Sequence, residues 1–342
     1  MGSSAKLTRT AIGFLSGTIL INHATAHEPG DAGQYLPGVT MGLGYGAAPP
    51  PGVYFDNTIL YIPKFVGNDQ NNGTTLKIWA EIPSLSWSTG WNFLGAKVVM
   101  AVVQPVYDSV TYPSTASGPP FAGAIVYPVM HNTVLNPLTL SWNIGTGWFL
   151  STGFVFYAPD GSRYDNSPNP DYWTYEFNGA ISYLADGWNL TAHFVYDWNT
   201  ASEGHTGAFA KTQFAPLGIG YRSGDQAFLD VTATKRFGKW EIGPVAYLKW
   251  QTTSDHPGGD VSCATMATLT ASLLGCGQAT QYAVGGLIGY DWGPVALKVM
   301  ATDSVYTRDY FQGWNIWAKL LFPLWVAVAP ATERGRTNTF IK

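Results

Sequence analysis

Apolar and polar residues alternate with period two along most of the chain after Gly52, most regularly between Trp173 and Trp198. Side chains of a strand point to opposite faces in turn. Before the tight turn Ala185-Asp186-Gly187, one face carries Trp173, Tyr175, Phe177, Ile181 and Tyr183, and the other Thr174, Glu176, Asn178, Ala180 and Ser182. After it, Trp188, Leu190, Ala192, Phe194, Tyr196 and Trp198 share a face opposite Asn189, Thr191, His193, Asp197 and Asn199. The apolar face is aromatic at its ends and smaller or aliphatic toward its middle. That is the pattern of a membrane-spanning hairpin, with lipid outside and a polar lumen inside. One such hairpin also fits a soluble β-sandwich, so the rest of the chain decides.

The same alternation predicts twelve strands, near 53–63, 75–87, 91–105, 134–144, 148–158, 172–184, 188–200, 221–236, 240–253, 280–291, 295–307 and 313–325. Short connections fall at Ser88-Thr89-Gly90, Gly145-Thr146-Gly147, Ala185-Asp186-Gly187, Phe237-Gly238-Lys239 and Trp292-Gly293-Pro294. Each contains a glycine, which supplies the positive φ of tight hairpins. They alternate with longer loops, the longest at 106–133 and 254–279. Trp91, Trp148, Trp188 and Trp240 each follow a short turn, and Trp292 sits in the fifth. An indole repeated at one height belongs at a water–lipid interface. The predicted fold is therefore all-β: a single antiparallel transmembrane β-barrel of about twelve strands, of the bacterial outer-membrane type, over residues 52–325.

Charged residues make up only 12% of the chain, and no apolar run is long enough for a membrane-spanning helix. Residues 1–26 read as a signal peptide: Lys6 and Arg9, then the apolar Ala11–Ile21, then Ala24-Thr25-Ala26 as the cleavage site. Its removal leaves 16 basic against 22 acidic side chains, a net charge of −6, which argues against a nucleic-acid partner. Residues 27–51 are rich in Gly and Pro and lack alternation, so they form either a flexible terminus or a segment folded into the lumen. Residues 326–342 form a tail. Cys263 and Cys276 lie close enough in sequence to close a small disulfide loop in an oxidising compartment. No clustered His accompanies them, and the sequence offers no metal or cofactor site.

The inward face collects the charges: Lys77, Glu81, Lys97, Glu176, Asp230, Arg236, Glu241, Lys249, Lys298 and Lys319, with His193 and Asp197. Facing pairs of opposite sign would cross-link strands inside the lumen. His193 and Asp197 stand four residues apart on one face, about 13 Å by strand rise, too far for the direct hydrogen bond a hydrolytic site needs. His131, His205 and His256 are scattered among loops. An enzyme is not expected.

Several stretches, taken in order, resemble a known family, the outer-membrane transporters associated with meta-pathway phenol degradation. They are His27-Glu28-Pro29-Gly30 with Tyr35-Leu36-Pro37-Gly38, Pro49-Pro50-Pro51-Gly52-Val53-Tyr54-Phe55, and Tyr157-Ala158-Pro159-Asp160-Gly161. Asn169-Pro170-Asp171-Tyr172-Trp173-Thr174-Tyr175, Tyr221-Arg222-Ser223-Gly224-Asp225 with Asp230, Gly313-Trp314 and Leu321-Phe322-Pro323-Leu324-Trp325 follow. Asp160 replaces the threonine usual in the family's A-P-T-G motif, and the tail extends past the aromatic on which such barrels end. The resemblance implies a monomeric twelve-stranded channel in the bacterial outer membrane that takes up small hydrophobic or aromatic molecules. It also implies an N-terminal segment that narrows the barrel. The partners are then the lipid bilayer and its lipopolysaccharide, the solute, and the machinery that assembles outer-membrane barrels. Expected pore residues are Tyr35, Leu36 and Pro37 at the constriction, with Tyr157, Glu176, Asn178, His193, Asp230, Glu241 and Lys249 lining the path. Trp173 and Tyr175 sit near the outer mouth, where their periodicity equally fits a lipid-facing girdle. The competing reading is a structural or adhesive barrel with a closed lumen.

Overall fold

The computed structural model describes residues 33–67, 75–112, 123–125, 128–162, 169–202, 221–257, 262 and 277–327. The predicted signal peptide, the beginning of the N-terminal segment, Cys263, Cys276 and the tail beyond Ala327 lie outside the described residues. Twelve strands form the wall. They are β1 (Gly52–Gly67), β2 (Thr75–Phe93), β3 (Ala96–Val103), β4 (Val134–Gly145), β5 (Trp148–Tyr157) and β6 (Thr174–Tyr183). There follow β7 (Trp188–Asn199), β8 (Gln226–Phe237), β9 (Trp240–Gln251), β10 (Thr280–Asp291), β11 (Ala296–Arg308) and β12 (Phe311–Val326). Each pairs antiparallel with its neighbours in sequence, and β1 pairs with both β2 and β12, which closes the sheet into a barrel. Closure removes the free edges that lipid cannot hydrogen-bond.

The expected alternation holds. Phe177, Ile181, Phe194, Ile288, Ile316 and Leu320 are exposed on the outer face. Thr174, Glu176, Asn178, Ser182, Thr191, His193 and Asp197 are buried on the inner one. Exposed indoles gather at two heights. Trp87, Trp91, Trp148, Trp188, Trp240, Trp292 and Trp325 stand at the end of the short turns, and Trp79, Trp173, Trp198 and Trp314 at the end of the loops. By the outer-membrane pattern the short turns and both ends of the wall are periplasmic.

Two expectations need correction. The first hairpin does not turn at Ser88-Thr89-Gly90. The strand runs on through an irregularity between Ser88 and Asn92 and turns at Leu94-Gly95, both at positive φ (51° and 79°). Trp91 therefore ends β2 instead of opening β3, yet remains in the girdle. The second correction concerns Lys77 and Glu81, which point outward. They alternate in step with Trp79, Leu85 and Trp87, whereas Ile78, Ala80 and Ile82 face the interior. Above the membrane, Val106–Tyr112 carries the line of β3 onward after Gln104-Pro105 and stays paired with β2. Val129–Met130 pairs back onto it before β4. Proline at 105 brings no N–H to a ladder, and the break falls there.

A charge on the lipid face should be penalised according to depth. Val231→Arg, near mid-height of β8, is expected to destabilise the folded barrel by about 2–4 kcal/mol, and Phe237→Arg in the periplasmic girdle by about 0–1 kcal/mol. Equilibrium unfolding in denaturant from lipid vesicles measures both.

Candidate functional site: the lumen and its N-terminal segment

Residues 33–51 contain no strand. They advance as successive turns, with the N–H groups of Val39, Met41, Leu43 and Ala47 bonded three residues back at 2.9–3.1 Å. Backbone that is not part of the wall must find its other partners inside the barrel, and the inner faces of the strands supply them. Asp230 on β8 is the principal acceptor. Its Oδ1 takes the Gly38 N–H (2.9 Å), and its Oδ2 takes the Thr40 N–H (3.0 Å), the Thr40 hydroxyl (2.8 Å) and the Tyr35 hydroxyl (2.7 Å). Lower down, the N–H groups of Gly42, Gly46 and Ala48 donate to the hydroxyls of Thr232, Ser182 and Ser141 at 2.8–2.9 Å. On the opposite side Lys319 donates to the Val39 carbonyl and Lys298 to that of Gly42. Ser151, Ser141 and Ser88 donate to the carbonyls of Tyr45, Gly46 and Pro49. Gly38 must be glycine: its φ is 91°, and a Cβ there would stand 2.9 Å from the Tyr247 ring.

The segment runs the length of the lumen. At its outer end Gln34 donates to the Tyr172 carbonyl (3.2 Å) and accepts from Asn132 (3.3 Å). At its periplasmic end the Pro51 carbonyl accepts the Ala327 N–H (2.8 Å). It also divides the lumen. Leu36, Val39 and Met41 join an apolar cluster with Leu60, Ile62, Ile78, Tyr247, Met300 and Trp317 from β1, β2, β9, β11 and β12. Tyr45 turns the other way and stacks on His193 at 4.0 Å between ring centroids. That second half is polar. Tyr157 and Asn178 each donate to Glu176 at 2.6 Å, and Thr40 Oγ1 lies 2.9 Å from His193 Nδ1.

Each expected pore residue faces this interior. Tyr35 is on Asp230 and 4.9 Å from the Phe228 ring; Leu36 is on the apolar cluster; Pro37 is buried beside them. Glu241 binds Lys298 (2.8 Å) and accepts from Thr234 (2.6 Å). Lys249 sits 4.0 Å from the centre of the Tyr310 ring, a cation–π distance. Trp173 and Tyr175 belong to the girdle instead: Trp173 is exposed, and the two rings lie among Phe154, Phe156 and Trp198 on the outer face. Thr40, Tyr45 and Met41 escaped the sequence reading, because a run of turns has no period from which to read a face. Trp317 and Asn315 could have been found, since they alternate with the outward Trp314 and Ile316.

The family-like motifs outside the wall are joints of the outer mouth. The Asp160 carboxylate accepts the N–H and hydroxyl of Thr133 (both 2.8 Å), and the Gly161 N–H donates to Asn132. Asp225 accepts from Arg222 and from the Asn199 N–H. Gly224 approaches the Thr253 carbonyl so closely that a Cβ would lie 1.9 Å from it. His131 is buried in the same rim, beyond the end of β4, against Tyr107. That burial pushes its imidazole down to about 4.

The sequence profile of a family described as "Putative MetA-pathway of phenol degradation" matches residues 62–320. No curated protein matches the chain. Among solved structures, an outer membrane channel from Pseudomonas putida F1 superposes with a TM-score of 0.64 at 10% identity, covering 84% of this chain and 99% of that one. The toluene transporter TodX of Pseudomonas putida aligns over 87% of this chain and 95% of its own, at 10% identity and a TM-score of 0.41. The toluene transporter TbuX of Ralstonia pickettii aligns over 82% and 91%, at 8% identity and 0.38.

Loss of the Asp230 carboxylate should free the middle of the segment while the wall stays folded. Hydrogen bonds to a charged group contribute about 1.5–3 kcal/mol each, so Asp230→Ala should speed amide hydrogen exchange at Gly38 and Thr40 by about 10- to 100-fold. Unchanged exchange at those two amides would show that the segment is held elsewhere. At the rim, unfolded His131 takes a proton below about 6.5, but the folded residue does so only near 4. The unfolded state then binds more protons between these values, so outer-mouth stability should fall as pH drops from about 6.5 to about 4. His131→Phe should flatten that dependence in local hydrogen exchange of residues 129–134.

Proposed function

The chain belongs to the family of the MetA pathway of phenol degradation, and on that footing we propose that it is a passive outer-membrane channel for small hydrophobic or aromatic molecules, narrowed by its N-terminal segment. The observation that carries this reading is the apolar half of the lumen. A barrel that served only as a scaffold could fill its interior with paired polar groups. This one keeps Leu36, Val39, Met41, Met300 and Trp317 packed together inside the wall. Polar and apolar halves side by side suit a solute with an apolar body, and the segment lies between them. The similar protein from Pseudomonas putida F1 is an outer membrane channel, which fits the same reading. Lipophilic solutes cross lipopolysaccharide poorly, and such a path would carry them past it. Closure of the barrel within one chain supports a monomeric working unit.

The packing of the segment favours a second reading. Asp230, Lys298 and Lys319 are all engaged by its backbone, as they would be in a permanently closed barrel.

Single-channel conductance in a planar bilayer separates the two. The channel predicts small steps for the full chain and larger ones when residues 33–49 are deleted or Asp230 is changed to Ala. Silence from all three proteins, together with no uptake of toluene or phenol into loaded vesicles, would leave the closed barrel.

A further inference from the structure

We propose that Thr302, Asn315 and Trp317 form a binding site, in the apolar half of the lumen, for a small apolar solute bearing one hydroxyl group; the site rests on the channel reading above and gives it a substrate class. Thr302 and Asn315 face each other across the ladder between β11 and β12, and Trp317 is the next inward residue on β12. All three are buried, at 0%, 4% and 1% exposure. Yet Thr302 Oγ1, Asn315 Oδ1 and Trp317 Nε1 have no hydrogen-bond partner among the described residues. Their surroundings are otherwise satisfied: Asn315 Nδ2 donates to the Tyr247 hydroxyl at 2.7 Å, and Lys319 donates to Val39 and Thr58.

A buried polar atom without a partner is unfavourable, and an apolar side chain of the same shape would serve packing better. Three such atoms on adjacent inward positions therefore point to something outside the chain. Their chemistry defines it. The indole N–H only donates, the amide oxygen only accepts, and the threonine hydroxyl does both. A solute hydroxyl, one donor and one acceptor, complements that set. A carboxylate would want a cation, and the nearby lysines are engaged, Lys298 by Glu241 and Lys319 by Val39. A bare hydrocarbon would leave all three atoms unmet. The walls are apolar, with Met41 and Met300 among them. Methionine repacks readily around a guest, and Met41 belongs to the segment and not to the wall. Apolar walls with a few converging polar groups are the usual make-up of a small-molecule site.

The test uses the full-length protein in lipid nanodiscs and follows the indole N–H resonances by NMR. The Trp317 signal is identified as the one missing from Trp317→Phe. Phenol and cyclohexanol are expected to move it; toluene and cyclohexane are not. Trp317→Phe and Thr302→Val, both close in shape, should each weaken phenol binding about five- to tenfold, the worth of one neutral hydrogen bond, and leave toluene unaffected. The site is overturned if the signal stays still with every solute, if toluene moves it as far as phenol, or if neither substitution alters phenol binding. Uptake into vesicles is read separately. A shifted Trp317 signal without uptake would sink the channel and keep the site, and uptake that ignores both substitutions would do the reverse.

Discussion

A stretch of chain without regular structure can lie inside a membrane barrel only if its N–H and C=O groups are met there. Most of the inward chemistry answers to that constraint. Asp230 gathers two N–H groups and two hydroxyls from six consecutive residues. Serines at 88, 141, 151 and 182 recur at the lower positions where the segment passes close to the wall. Small hydroxyl side chains suit the task because they reach the backbone without filling the space the segment occupies. The turns within the segment, and the positive φ values at Gly33, Gly38 and Gly42, keep enough groups paired internally for the wall to supply the rest.

The lumen charges are sorted by the same requirement. Glu176, Asp197 and Asp230 stand on β6, β7 and β8, and Lys298 and Lys319 on β11 and β12. The segment lies between, with the N–H groups of Gly38 and Thr40 on Asp230 and the carbonyls of Val39 and Gly42 on the lysines. Among the described residues, the one of these charges that forms an ion pair is Lys298, with Glu241. Glu241 and Lys249, both buried on β9, add one charge of each sign between the two groups.

Much of this architecture was legible in the sequence. The wall alternation is legible because a wrong placement at mid-height would put a polar group in lipid, and Phe177, Trp188 and Leu320 obey it. The short turns were legible because glycine is needed at their positive φ. Ser88-Thr89-Gly90 misled because the same chemistry also suits an irregularity within a strand, and Gly90 is at positive φ there too (78°). Lys77 and Glu81 mislead because charge marks the lumen along most of the wall, whereas their parity with the outward Trp79 places them outside. The inner arrangement was less legible. Tyr35 and Asp230 could each be suspected, but nothing in the spacing of 195 residues between them says that they touch. Contacts between a turn-rich segment and a distant strand depend on closure, which no local pattern encodes.

The hydrogen bonds of Lys319 tie the seam of the barrel to its contents. This residue lies on β12 and donates both to Thr58 on β1 and to Val39 in the segment. β12 meets β1 where the sheet closes, so a single ammonium group bridges the closing seam and the strandless stretch. Loosening either side strips a partner from a buried cation, and the ring and its filling are coupled through that one side chain.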